Sequence, residues 1–312
     1  MSARNTFKVG TRGSGLALRQ TEEVLSTLRG LHPDLDFQVE IVRTRGDANP
    51  TAPLAGMGLG IFVKEIERQL LDGSLDMAVH SLKDMPTELP EGLAIGATPK
   101  RADPRDVLVN RWNCRLSELP EGARIGTSSP RRQALLQTLC PQATVLPIRG
   151  NVDTRLSKAA GDDYDGAVLA AAGLARMGLT GHIAEYLSPQ RFVPPPGQGA
   201  LAIEVRENDA ELIDLLRPAE DPETRFAATA ERAFLEKLGG GCQLPVGAYG
   251  RAQGEAMFLT VFLSSPDGQK AFRAKVEGLT HDPLQLASDA YLAVLERGGG
   301  PLLEVEWEEL GQ

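Results

Sequence analysis

Between residues 7 and 205, short aliphatic and β-branched runs alternate with stretches whose apolar residues recur at helical spacing. That alternation restricts the fold more than any other feature of the chain. Strand character falls over 7–11, 37–42, 76–80, 93–97, 106–109, 124–126, 144–148, 165–169 and 201–205, and helical character over 62–71, 130–139 and 152–159. The opening is strand, turn and helix: Ser14 can cap a helix whose Leu18, Thr21, Leu25 and Leu28 share a face until Gly30. Such alternation builds α/β lobes on mostly parallel sheets, in which binding loops collect beyond the strand C-termini.

A chain of 312 residues exceeds one compact domain, so two or three lobes with a cleft between them are expected. Two proline-bearing stretches, 99–104 and 194–196, bracket a central segment and read as paired crossings between two lobes. The first domain is therefore expected over 4–99 with 200–217, and the second, inserted in it, over 105–194. After Asp221 the pattern changes. Asp221 and Pro222 start a helix with Phe226, Ala230, Phe234 and Leu238 on one face, ended by Gly239, Gly240 and Gly241. Alternating runs over 257–263 and 270–276 then flank Pro266, Asp267 and Gly268 as a hairpin. A last helix follows Asp282 and Pro283, with Leu284, Ala287, Tyr291 and Leu295 expected inward. Residues 222–312 thus read as a small α+β domain. The aperiodic segment 46–60, with four glycines, Pro50 and Pro53, reads as a lid or a plain surface loop.

Charge narrows the function. Lysine and arginine number 33 against 42 aspartates and glutamates, a net −9 that opposes general binding of nucleic acid or anionic membrane. No apolar run approaches the ~18 residues of a membrane span. The odd count of three cysteines, Cys114, Cys140 and Cys242, fits a reducing compartment, with the cytoplasm the default. No ligand spacing for a metal and no nucleotide fingerprint is present.

Against that acidic background, positive charge concentrates locally. From Arg124 to Lys158 there are six basic residues and only Asp153 to oppose them. Thr127, Ser128 and Ser129 lead from a strand into a helix with Pro130 at its first position and Arg131 and Arg132 behind it. A capped helix start flanked by hydroxyls and guanidinia suits a carboxylate or phosphate. Arg149, Gly150, Asn151 and Arg155 repeat the design, Arg12 and Ser14 do so after the first strand, and Arg176 ends another helical stretch. Several arginines at strand-to-helix turns suit a ligand with multiple carboxylates. Ser81, Lys83 and Asp84 follow a strand, and the lysine–aspartate pair reads either as a turn salt bridge or as a carboxylate kept ionised to stabilise a cation. His80 reads as structural. Gln198, between Gly197 and Gly199, reads as a ligand-touching hinge or a plain linker. Cys114 and Cys140 read as small buried hydrophobes, whereas Cys242, after three glycines, is placed to point into a cleft.

These elements in this order, with the opening TRGSGLALRQ and the strings VHSLKDMPT, GTSSPRRQ, RGNVDTRL, AAAGLARMG, PPPGQGALAIE and ERAFLEKLGGGCQLPVGA, resemble the porphobilinogen deaminases. The likeness runs from about Lys8 to the C-terminus; Pro130 stands where the family has leucine. It implies two lobes like those of periplasmic binding proteins with mostly parallel sheets, and a small α+β C-terminal domain carrying a dipyrromethane cofactor on a thioether to Cys242. It implies a cytoplasmic monomer that joins four porphobilinogens, releases four ammonia molecules and delivers hydroxymethylbilane for tetrapyrrole synthesis. Ser81, Lys83, Thr127, Ser128, Ser129, Arg131, Arg132, Gly150 and Arg155 would hold the cofactor. Arg12, Ser14, Gln20, Arg149, Arg155, Arg176 and Gln198 would handle substrate. Asp84 would be the catalytic residue.

Overall fold

The computed structural model describes residues 4–42, 63–240 and 245–303. The segment 46–60 lies outside them, as does Cys242. In chain order the elements are β1 (Thr6–Arg12), α1 (Gly15–Leu31), β2 (Asp36–Val42), α2 (Lys64–Leu71), β3 (Met77–Ser81), β4 (Leu93–Ala97), β5 (Asp106–Asn110), β6 (Arg124–Gly126), α3 (Pro130–Leu139), β7 (Thr144–Leu146), α4 (Val152–Ala159), β8 (Gly166–Ala170), α5 (Ala171–Arg176), β9 (Glu185–Tyr186), β10 (Leu201–Arg206), α6 (Ala210–Leu216), α7 (Pro222–Lys237), β11 (Val246–Gln253), β12 (Ala256–Ser264), β13 (Ala271–Leu279) and α8 (Pro283–Val294). No helix among the described residues is long and apolar enough to cross a membrane. The chain divides into two compact units, Met1–Ala102 with Gly199–Arg225, and Asp103–Gln198 with Phe226–Gln312.

In the first unit the strand order is β2-β1-β3-β10-β4. β1 pairs in parallel with β2 and β3, while β10, arriving after the inserted segment 103–198, runs antiparallel to β3 and β4. Phe7, Val9, Met77, Val79, Ile203 and Val205 turn one face towards α1 and α6. Ala78 and Leu93 turn the other towards Ile66 and Leu70 of α2. Ser14 caps α1 by accepting from Ala17 N. The helix runs one residue past Gly30, to Leu31, because His32 N still bonds the Leu28 carbonyl.

The second unit carries two sheets. Its five-stranded sheet has the order β7-β6-β8-β5-β9, with β6 parallel to β7 and β8 and with β5 antiparallel to β8. Strand β7 stops at Leu146, short of the expected 148, because Pro147 has no N–H for the ladder and the Ile148 carbonyl is taken by Ser128 Oγ. The three-stranded sheet β11-β12-β13 is antiparallel throughout. Ala230, Phe234 and Leu238 of the helical stretch pack on it with α8. The inward face of α8 is Leu286, Ala287, Ala290 and Val294, which corrects the expected set: Leu284 is 60% exposed and Tyr291 only partly covered. Leu286 decides that rotation by settling against Gly278 of β13, where no side chain intervenes.

Candidate active site

In the first unit, one short turn carries the candidate residues Ser81, Lys83 and Asp84. β3 ends at Ser81 and passes into a single 3-10 turn, Leu82–Asp84, closed by Met85 N on the Leu82 carbonyl. Leu82 N donates to the Ala200 carbonyl at 3.1 Å, and Gln20 Nε2 of α1 donates to Ser81 Oγ at 2.7 Å. The buried Leu82 plugs the core while Lys83 and Asp84 stay half-buried on either side. No ion pair joins Lys83 to Asp84, and the Asp84 carboxylate takes no hydrogen bond among the described residues. Of the two readings of this pair, the turn salt bridge is therefore absent. A half-buried carboxylate without a structural partner is available to a cation. Arg12 ends β1 and Ser14 caps α1, so these two and Gln20 lie along the same strand-to-helix turn.

In the second unit, β6 leads into the turn that bears Thr127, Ser128 and Ser129. Thr127 is buried; its N donates to the Leu146 carbonyl and its hydroxyl accepts from Ser129 N. Ser129 caps α3 by accepting from Arg132 N. Arg131 and Arg132, which composition alone would put on the surface, are 4% and 7% exposed. Both reach Asp106, the fully buried first residue of β5. Arg131 Nη2 donates to its Oδ2 at 2.7 Å, and Arg132 Nη2 and Nε to its Oδ1 at 2.7 and 3.1 Å. Gln198 Nε2 adds a fourth bond to Oδ1 at 3.0 Å and also donates to the Pro104 carbonyl. Arg131 Nη1 and Arg132 Nη1 reach the carbonyls of Val193 and Val168. Burial pushes the Asp106 carboxyl up, but Arg131 and Arg132 outweigh it and hold the group at about 2.

A second turn stands nearby in sequence. Asn151 caps α4 by accepting from Thr154 N, and Arg155 Nε folds back to the Gly150 carbonyl at 2.7 Å. Gly150 has φ +118°, and a Cβ there would lie 2.5 Å from the Thr154 side chain, so glycine is required. Lys158 Nζ donates to the Arg149 carbonyl, and Arg176 closes the short α5, half-buried.

This donor set fits an anionic, carboxylate-bearing group. Two buried guanidinia against one buried carboxylate leave an excess positive charge, and Arg131 Nε is a buried donor with no acceptor among the described residues. The hydroxyl-rich start of α3 lies directly beside it.

Asp106 escaped the sequence reading, which treated it only as a strand start. So did Glu231, fully buried on α7, whose carboxylate accepts from Gly197 N and Gly250 N, each at 2.7 Å. The only signal for either was an acidic residue at an otherwise apolar strand or helix position. His80 is structural as expected, bonded to buried Glu204. Cys140 is buried, with its Sγ on the Leu116 carbonyl, and burial pushes its thiol up; Cys114 is part-buried with its thiol pushed up likewise.

Comparison with known proteins gives these sites a family. The model for the porphobilinogen deaminase, dipyromethane cofactor binding domain matches residues 7–214, and that for the porphobilinogen deaminase C-terminal domain matches 225–295. The porphobilinogen deaminase of Brevibacillus brevis is 47% identical over 299 residues, covering 95% of this chain and 96% of its own. That of Bacillus subtilis is 44% identical over 310 residues, covering 98% of each. Among solved structures, the methionine binding protein MetQ is 16% identical, with a TM-score of 0.41 over 73% of this chain and 95% of its own. By the extent and identity of these matches, the chain belongs to the porphobilinogen deaminase family.

Proposed function

We infer that the chain is a hydroxymethylbilane synthase of tetrapyrrole biosynthesis, which condenses four porphobilinogens head to tail on a covalently bound dipyrromethane and releases four ammonia molecules. The observation that supports the reading beyond family membership is Asp84: a half-buried carboxylate on a 3-10 turn that takes no hydrogen bond among the described residues.

The residue roles are our proposal. When bound, the dipyrromethane supplies the free pyrrole carbon to which the first substrate is joined. Cys242 carries it through a thioether, and Ser81, Lys83, Thr127, Ser128, Ser129, Arg131, Arg132, Gly150 and Arg155 hold its acetate and propionate groups. Excess buried positive charge at Arg131 and Arg132 supports that assignment. Arg12, Ser14, Gln20, Arg149, Arg155, Arg176 and Gln198 bind the carboxylates of incoming substrate, bidentate pairing being the strength of arginine. In each condensation the C–N bond of the protonated aminomethyl group of porphobilinogen breaks and ammonia leaves with the electron pair, and the carbon that accepts the new carbon–carbon bond gives up its proton to solvent. Asp84 faces the positive charge that develops on the substrate pyrrole and stabilises it, which lowers the barrier where charge appears. The arginines fix the substrate for carbon–carbon bond formation.

The three separate sheets support a division into domains over 4–99 with 200–217, 105–194 and 222–312. A monomer in the cytoplasm is the working expectation for such an enzyme. The test is to incubate the protein with porphobilinogen alone and follow substrate loss, ammonia and the linear tetrapyrrole together. One ammonia per substrate consumed is expected; consumption without ammonia refutes the reading.

A further inference from the structure

Directly beneath the Asp84 turn lies a group of ionisable side chains that none of these roles uses. His80 precedes Ser81 on β3. It pairs in register with Ala202 of β10, while Glu204 pairs with Ala78, so His80 and Glu204 are diagonal neighbours on one face of the sheet. The imidazole Nε2 lies 2.9 Å from Glu204 Oε2. This is the face that α2 covers with Ile66 and Leu70. Glu67 of the same helix is 5% exposed, beside His80 at 5% and Glu204 at 0%. One oxygen of Glu67 and one of Glu204 are buried without a donor among the described residues.

Such a group is a poor way to stabilise a fold. Apolar side chains of similar volume generally match or exceed a buried charged pair, and each buried acceptor without a donor costs further. Val42, Ile66, Leu70, Leu75, Ala78 and Leu93 form the apolar part of this layer, and Arg206, two residues on from Glu204, spends itself at its edge on the Leu70 and Leu75 carbonyls. The His80 group instead sits next to the turn that bears Lys83 and Asp84. Among the described residues, main-chain pairing to β10 and the bond from Gln20 to Ser81 also hold that turn. A directional bond at His80 fixes the rotation of the last β3 residues in a way that apolar contact, which is non-directional, does not.

We propose that His80 is a positioning residue for the condensation, anchored by Glu204 and flanked by Glu67, and that it sets the placement of the Ser81–Asp84 turn from below. The proposal rests on the role given to Asp84 above. It predicts that losing the anchor lowers the rate of the chemical step and leaves binding intact. Since roughly an ångström of misplacement costs on the order of a hundredfold, a small tilt of the turn costs at least about tenfold.

The test uses full-length holoenzyme. In Glu204→Leu the buried carboxylate is removed and the imidazole remains; in the double replacement His80→Phe with Glu204→Leu the pair becomes apolar, which gives a second variant should the first fail to fold. Glu204→Gln keeps an acceptor for the imidazole. Intact mass verifies the cofactor on each, and kcat and KM for porphobilinogen are measured. The expected result is full cofactor mass, unchanged KM, kcat lowered at least about tenfold in the leucine variants, and recovery of most of kcat in Glu204→Gln. Wild-type kcat in a folded leucine variant overturns the proposal, as does a Glu204→Gln enzyme no better than Glu204→Leu. Wild-type protein that bears no cofactor mass or leaves porphobilinogen unchanged refutes instead the function on which the proposal rests.

Discussion

Replacing Asp106 by asparagine tests how the second unit holds its buried arginines. The substitution keeps the volume and one acceptor but removes the only carboxylate paired with Arg131 and Arg132 among the described residues. Two guanidinia, 4% and 7% exposed, would then lie buried without a counter-charge. Breaking a buried ion pair by removing one partner costs about 3–5 kcal/mol, a large share of the ~5–15 kcal/mol that holds a domain together. Proton linkage gives a second figure. The carboxyl is held at about 2 against an ordinary 3.8. At ~1.4 kcal/mol per tenfold change in proton affinity, the paired carboxylate contributes about 2–3 kcal/mol. Because the folded value is depressed, that contribution is fully present above pH 3.8 and fades as pH falls through 2. The linkage figure is the smaller because protonation leaves both arginines an oxygen to bond, whereas the asparagine amide must turn a donor towards one of them. Urea unfolding at pH 7 should show the asparagine variant with a lowered midpoint and unchanged slope. A wild-type midpoint would refute the reasoning.

Three further outcomes follow from particular residues. Glu67 is pushed up to about 7 by burial and by the Glu204 carboxylate, against the pull of His80 and Lys64. A raised carboxyl burdens the folded state above that pH and not below the ordinary 4.5. Glu67→Gln should therefore be more stable than wild type by up to about 3 kcal/mol at pH 8, with the difference gone near pH 4; an equal difference at both, read from urea midpoints, contradicts this. Asp84→Asn should keep its cofactor mass while turnover collapses, by more than about a hundredfold if the charge is what matters; near-normal turnover removes Asp84 from its role. Gly150→Ala, at φ +118° and in collision with Thr154, should cost about 1–3 kcal/mol in urea unfolding; an unchanged midpoint contradicts the requirement for glycine there.

Much of the architecture was legible because its signals are local. The bounds of α3 and α4 follow from Ser129 and Asn151 as caps, and β4 from a plain aliphatic run. What escaped depends on distant partners. β11, with the sequence VGAYGRAQ, has two glycines and little alternation, yet it is a strand: Gly250 lies against Ala227 of α7, where a Cβ would meet backbone at 3.0 Å, and its N–H finds Glu231. The rotation of α8 was misread because Leu284 and Tyr291 fit a helical stripe as well as Leu286 and Ala290 do; only packing on β13 decides. At the candidate site, the motif arginines were recognisable as a set, but their commitment to Asp106 was not, since 25 residues separate Arg131 from its partner. An arginine count reports charge and not which guanidinia are already occupied.

The most direct test of the central claim is the intact mass of the purified, untreated protein beside its Cys242→Ala variant. The account predicts wild-type protein heavier than its sequence by two linked pyrrole units and a variant at its bare sequence mass with no turnover. Active wild-type enzyme at bare sequence mass, or a variant that still carries the added mass, would contradict it.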